Sequence, residues 1–229
     1  MNQITIQQIT VNQQTFTVRT AGLDNKGDLV MLLHGFPESS LMWEPLMIEL
    51  ANQGYRVIAP NQRGYSAGAR PAGVQNYTMK LLAADVVALA HFFGFQQKFH
   101  LVGHDIGAVV GWTTATLYPQ LLKSWTALSV PNWPAYIWAL ENDPVQKEKG
   151  HYVHTFQHKY IPELILRAFH YRVLRKLWTG FPQTTIDTYL DLFSEKGALT
   201  AVVNWYRALL QLPQINYKQI TVPTKFIWG

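Results

Sequence analysis

Cysteine is absent from all 229 residues, so neither a disulfide nor thiolate chemistry is open to this chain. Its fold must rest on an apolar core, and a chain of this length needs no covalent staple. Lack of cysteine fits a reducing compartment, and a cytoplasmic location is the expectation. Charge is scarce as well: 14% of residues are charged against 48% hydrophobic, which excludes a disordered chain and indicates one globular domain with room for an insertion. Long apolar runs are missing too. The longest uncharged stretch, residues 106–122, is interrupted by threonines and Pro119, and reads as a buried helix and its exit, not a membrane span. The opening M-N-Q-I-T-I-Q-Q has neither the basic region nor the apolar core of a signal peptide.

Acidic residues are outnumbered, 14 against 19 basic, for a net charge of +5. The basic residues are scattered, apart from Arg167, Arg172, Arg175 and Lys176. Arg172 and Lys176 lie one helical turn apart, the mark of a solvated helix face. No stacking aromatics interleave with basic residues in a nucleic-acid motif, so neither nucleic acid nor a membrane is an expected partner.

What is present is an alternation of strand and helix. Residues 4–11 and 15–19 alternate apolar and polar side chains, as an opening antiparallel pair does. Residues 29–33 form a fully apolar strand, hence central and parallel. A helix comes after it, with Met42, Leu46 and Leu50 at helical spacing and Gly54 as its stop. Residues 55–59 read as a strand and residues 60–71, rich in glycine and proline, as a loop. Leu82, Val86, Leu89 and Phe93 mark one face of a helix ending at Gly94. A strand at 99–102, a helix at 106–112 and a strand at 124–130 come next. This order predicts a parallel sheet covered on both faces, with reactive groups at the carboxyl ends of its strands.

The pattern changes over residues 132–213, where helical signals alone remain. Ile186, Leu190 and Phe193 mark one apolar face, and Leu199, Val202, Tyr206 and Leu209 another. Pro162 suits a first helical turn, with Glu163 next to it. The predicted organisation is a core over 1–131, an inserted helical lid over 132–213, and a return to the core over 214–229, with a strand at 225–228.

Between the strand at 99–102 and the helix at 106–112 lies Gly103-His104-Asp105-Ile106-Gly107, the pattern of a nucleophile elbow with Asp105 at its centre. The turn is tight enough that only small residues fit two positions either side. Asp is also a common helix N-cap, so this turn alone leaves Asp105 as either a cap or a presented nucleophile.

Taken together, H-G-F-P-E-S-S at 34–40, G-Y-R-V-I-A-P-N-Q-R-G-Y-S from Gly54, the elbow G-H-D-I-G-A and N-W-Y-R at 204–207 resemble the α/β-hydrolases, specifically the soluble epoxide hydrolase and haloalkane dehalogenase group. The resemblance implies an α/β-hydrolase fold with an inserted lid. It implies Asp105 as a nucleophile that forms an alkyl-enzyme ester, with the backbone N–H groups of Phe36 and Ile106 as the oxyanion hole. It implies Tyr152 and Tyr206 as lid phenols that donate to an epoxide oxygen. His34 and His104 are expected to hold backbone in place and not to act as bases. Phe36, Ile106 and Trp133, with the lid aromatics, suggest an apolar pocket and a small apolar substrate; His34 is placed at that pocket too.

A haloalkane dehalogenase would need N–H-bearing side chains where Phe36 and Ile106 stand, and a haloacid enzyme would need arginines where Ile106, Val109 and Val110 stand. Epoxide hydrolysis to a diol is therefore the leading expectation, with dehalogenation the alternative. Asn61 stands where relatives carry Asp before Arg63, which puts the usual charge pair there in question. His151, His154 and His158 lie near one helix face, but no carboxylate pattern accompanies them, and neither a metal nor another cofactor is expected. In this family the acid and the histidine base come after the strand matching 224–229. Within these 229 residues the triad, the last strand and the last helix are thus expected to be incomplete or missing. A non-catalytic remnant acting as a binding module is the other reading. The strand at 225–228 would then be an apolar edge inviting aggregation or pairing, which leaves a dimer open.

Overall fold

The computed structural model describes residues 3–94, 97–211, 215–217 and 219–228. The chain opens with β1 (Thr5–Val11) and β2 (Gln14–Ala21), paired antiparallel from Thr5 opposite Thr20 to Val11 opposite Gln14. Asn12 and Gln13 join them with φ of 49° and 60°, the left-handed two-residue turn that suits strand twist. All five residues of β3 (Leu29–Leu33) are buried, as an unbroken apolar run requires when both sheet faces are covered.

A three-ten turn at Ser40–Trp43 precedes α1 (Glu44–Asn52). Its three-residue period rotates the phase of the helix beyond it. The fully buried stripe on the sheet is Trp43, Met47 and Ala51; of the predicted residues, Met42 and Leu50 pack beside it half-buried and Leu46 is exposed. β4 (Arg56–Pro60) is next, then α2 (Met79–Phe92), whose first turn is capped by the Thr78 hydroxyl accepting from the Leu81 N–H. β5 (Phe99–His104) leads into α3 (Ile106–Leu117), and β6 (Leu122–Leu128) comes after. β6 begins and stops two residues earlier than the apolar pattern indicates. Ser129 takes a φ of 70°, and the Val130 N–H turns back onto the Leu128 carbonyl.

Between β6 and β7 lie α4 (Trp133–Asn142), α5 (Pro144–Lys149), α6 (His151–Thr155), α7 (Ile161–Leu177), α8 (Gln183–Ser194) and α9 (Ala198–Gln211). Asn132 caps α4 and Asp143 caps α5 through side-chain oxygens. α7 is broken at Ala168–Tyr171, where the backbone leaves the helical region. Glu163, in its first turn, takes a two-pronged ion pair from Arg207 on α9 at 2.9 and 3.0 Å. Pro213, the predicted end of the helical segment, lies outside the described residues.

The strand order is β1-β2-β4-β3-β5-β6-β7, with β7 (Thr224–Ile227) parallel to β6 at the end of the row. β1, β2 and β4 pair antiparallel, and every pair from β4 to β7 is parallel. Period-two alternation splits the core. Leu29, Met31 and Leu33 face α2 and α3, while Val30 and Leu32 face α1. At β7, Phe226 and Ile227 are exposed along with the adjoining Trp228.

Arg63 has a partner that its neighbours in sequence do not reveal. Asp85, from α2, accepts from its guanidinium at 2.7 and 2.8 Å, and both side chains are buried. Asn61 instead accepts from the Ser40 N–H and hydroxyl. Removing one half of a buried pair strands the other charge, so Asp85→Ala is expected to cost about 3–5 kcal/mol of stability. A urea titration would show this as a lower midpoint at unchanged slope.

Candidate active site

Asp105 sits where β5 ends and α3 begins, with φ 53° and ψ −128°. A non-glycine residue is held in this region only when its surroundings over-determine it. Gly107 and Gly103 supply that constraint. A Cβ on Gly107 would lie 2.3 Å from the His34 carbonyl oxygen, and one on Gly103 would lie 2.6 Å from the Gly107 carbonyl oxygen. The Asp105 side chain makes no capping bond to the second or third N–H of α3, so the reading of Asp105 as a simple N-cap does not hold.

The backbone N–H groups of Ile106 and Phe36 lie near its carboxylate and favour the ionised form. His34 fixes the loop that carries Phe36. The Gln62 N–H donates to His34 Nε2 at 3.1 Å, so Nδ1 bears the proton and donates to the Gly35 carbonyl at 3.0 Å. Burial pushes the His34 imidazole down to about 4, which keeps it neutral. From the helical segment, the Trp178 indole N–H donates to the Pro37 carbonyl at 3.1 Å and holds the same loop.

Above Asp105 is a cavity of about 60 Å³, walled by Ile106, Val109, Trp133, Tyr136, Tyr152 and Tyr206 among others. The predicted residues Asp105, Ile106, Trp133, Tyr152 and Tyr206 therefore meet at one place. Phe36 and His34 do not line this cavity. The Phe36 ring packs edge-on against Phe156, Phe193 and Tyr206, and His34 is fully buried against Tyr65. Tyr152 and Tyr206 meet edge-on with ring centroids 5.9 Å apart. Burial, and then neighbouring groups including the Asp105 carboxylate, raise both phenols above their ordinary range, so both stay protonated at neutral pH.

Burial likewise raises the Asp105 carboxyl, to about 6. The His104 charge and the two N–H donors pull it the other way, and Glu38 adds repulsion. His104 differs from the expectation that it braces backbone. Its Nδ1 faces the Glu38 carboxylate at 3.6 Å, and neither Nδ1 nor Glu38 Oε2 has a hydrogen-bond partner among the described residues. Glu38, followed by the Asp105 charge, raises the His104 pKa against the effect of burial. Two residues near Asp105 had no role from sequence. Glu38 stood within the H-G-F-P-E-S-S stretch. Tyr136 lies one turn after Trp133, stacked on it with centroids 5.5 Å apart, a spacing that could have marked it.

A parallel sheet, a strained turn bearing an acid, and two N–H groups near that acid define a hydrolase of the α/β type. Residues 28–149 match the alpha/beta hydrolase fold family, and the chain belongs to it. It is 34% identical to the AB hydrolase superfamily protein YfhM of Bacillus subtilis, over 100% of this chain and 82% of that protein. It is 30% identical to human Epoxide hydrolase 4 over 88% of this chain, and spans 58% of that relative's length. Among solved structures, epoxide hydrolase VrEH1 from Vigna radiata superposes with a TM-score of 0.82 at 28% identity, covering 99% of this chain and 79% of that one. Epoxide Hydrolase A from Mycobacterium thermoresistibile gives 0.83 at 25% identity, over 99% and 82%. Among the described residues no helix is long and apolar enough to cross a membrane.

Proposed function

We propose that the chain carries the alkylation chemistry of an epoxide hydrolase acting on a small apolar epoxide, with α4–α9 as a lid over the reacting atoms. The reading rests on one observation above all: a carboxylate on a left-handed turn faces a cavity walled by two phenols in contact with each other. An Asp105 oxygen attacks a ring carbon from the side opposite its C–O bond. That C–O bond breaks, and the departing oxygen, still attached to the substrate, takes a proton from Tyr152 or Tyr206. The product is a hydroxyalkyl ester on Asp105. Water then attacks the ester carbonyl and gives its proton to the phenolate left by ring opening, which places negative charge on an oxygen facing the N–H groups of Phe36 and Ile106. Each donor of this kind contributes about 3 kcal/mol. Collapse of that adduct restores the carboxylate and releases a diol.

The apolar walls, Val109, Trp133 and Leu209 among them, favour a hydrocarbon-substituted epoxide over a charged one. The absence of cysteine fits work in the cytosol.

Incubating the chain with a phenyl-substituted terminal epoxide tests this. Intact mass should rise by one epoxide, with the label mapped to Asp105, or diol should accumulate in solution. Neither label nor diol would end the proposal. Release of bromide from a bromoalkane, with the epoxide left untouched, would move the reading to a dehalogenase.

A further inference from the structure

The outward side of α7 and its flanks carries an unusual set of side chains. Phe169 is 81% exposed, Leu164 67% and Leu177 57%, with Ile165, Val173 and Phe181 also exposed. This exposure does not come from a loose segment. Leu166, Leu174 and Trp178 are buried beneath it, and Arg207 clamps its first turn through Glu163. Midway along α7 the helix is interrupted through Phe169, His170 and Tyr171, with φ of 49°, 53° and 60°. Three consecutive left-handed residues without a glycine accompany the exposure of Phe169, and an observed departure of this kind points to a role.

Charge along residues 159–181 is nearly one-signed. Lys159, Arg167, Arg172, Arg175 and Lys176 are all exposed, against a single acidic residue, Glu163, already engaged by Arg207. Four of the chain's five net positive charges therefore sit within residues 159–181. None of the five basic side chains has an ion pair among the described residues. The sequence pattern alone assigned Arg172 and Lys176 to a solvated face. The apolar tips standing between the charges give that face a different character.

We propose that the outward face of α7, with Phe169 midway along it, docks on the surface of an anionic lipid bilayer. Arginine and lysine meet the headgroups there, while phenylalanine, leucine and isoleucine tips enter the boundary with the acyl chains. The tips recur along the whole segment, from Leu164 to Phe181. A bilayer accepts such tips one by one, whereas a protein partner needs a matching shape. A second copy would set like charges against like. A nucleic acid would leave the apolar tips unused. This inference stands apart from the chemistry at Asp105, and its test needs no turnover.

The test is co-sedimentation of the whole chain with phosphatidylcholine vesicles, with and without about 30% phosphatidylglycerol. Binding to the anionic vesicles is expected to exceed binding to the neutral ones by about tenfold or more, and to fall as salt is added. Phe169→Asp and the pair Arg172→Glu with Arg175→Glu should each reduce binding by about tenfold. These residues are exposed, so an unchanged circular dichroism melt should accompany the loss. Lys123→Glu, on the opposite part of the molecule beside Asp28, serves as the control and should leave vesicle binding within about twofold. Three results would overturn the proposal. One is no binding to anionic vesicles. Another is binding indifferent to both sets of substitutions. The third is vesicle-free self-association, seen by light scattering, that Phe169→Asp abolishes, which would assign the face to a second copy.

Discussion

Asp105→Asn is expected to abolish covalent labelling by epoxides and, at the same time, to make the protein more stable. The amide keeps the shape of the side chain but is too weak a nucleophile to open the ring. The gain in stability comes from the pKa. Burial lifts the Asp105 carboxyl to about 6, from an ordinary value of 3.8, so at neutral pH the fold holds an ionised group in surroundings that disfavour it. For a carboxyl raised in the folded state, stability falls as pH climbs from the unfolded pKa through the folded one. The cost is fully present above about 6 and disappears below the unfolded value. A shift of this size corresponds to about 3 kcal/mol, which loss of attraction to His104 and partial solvent access reduce to about 1–2 kcal/mol. For a chain of this length that is a rise in Tm of a few degrees. Melts of the two proteins at pH 7 should therefore differ, and the difference should shrink at pH 5. In the unsubstituted protein the labelling rate should drop about tenfold per pH unit below about 6, as the carboxyl takes up its proton. A labelling rate flat from pH 7 to pH 4.5, with no stability gain in Asp105→Asn, would remove Asp105 from the chemistry.

The parts legible in sequence are those set by local constraint. The elbow is one. Gly103 and Gly107 are demanded by backbone oxygens less than 3 Å from where a side chain would begin, so the turn writes itself into five consecutive residues. The sheet is another, because β3 and β5 are short apolar runs with turn residues after them. The pocket phenols needed the family resemblance as well. Nothing within H-Y-V-H-T-F-Q says that Tyr152 will meet Tyr206, and the packing of α6 against α9 is what brings them together. Where sequence falls silent, the interaction spans separate elements. Glu38 and His104 come from the ends of different strands, and Arg63 finds Asp85 on a helix two elements away from its loop. The stripe on α1 was read one residue early: a three-ten turn sets its phase before the helix begins, and Met42 and Leu50 pack only at its margin. The exposed face of α7 was half visible. Its charges could be counted, but the exposure of Phe169 goes with a break in the helix at Ala168–Tyr171 that no periodicity announces.

Loss of the two phenols should be the second large effect, and it separates catalysis from packing. When the ring opens, negative charge gathers on an oxygen that stays with the substrate. A donor at that oxygen typically contributes about two to four orders of magnitude in rate. Tyr152 and Tyr206 stand side by side at the cavity wall, and their raised pKa values keep both protons in place at neutral pH. Either phenol can serve when the other is gone, so Tyr152→Phe and Tyr206→Phe are expected to slow single-turnover labelling by about tenfold to a hundredfold each. The double substitution should reach about a thousandfold, with little change in the epoxide concentration needed for half-maximal labelling. Phenylalanine retains the ring, so the contacts of Tyr206 with Phe36 and Phe156 survive, and the melting curve should barely move. A reactive bromoalkane supplies the decisive comparison. Bromide leaves without needing a proton, so its reaction with Asp105 should proceed at a similar rate in the double variant. If epoxide and bromoalkane slow together, the phenols act by holding the cavity open. If neither slows, they only fill space, and the epoxide oxygen takes its proton from elsewhere.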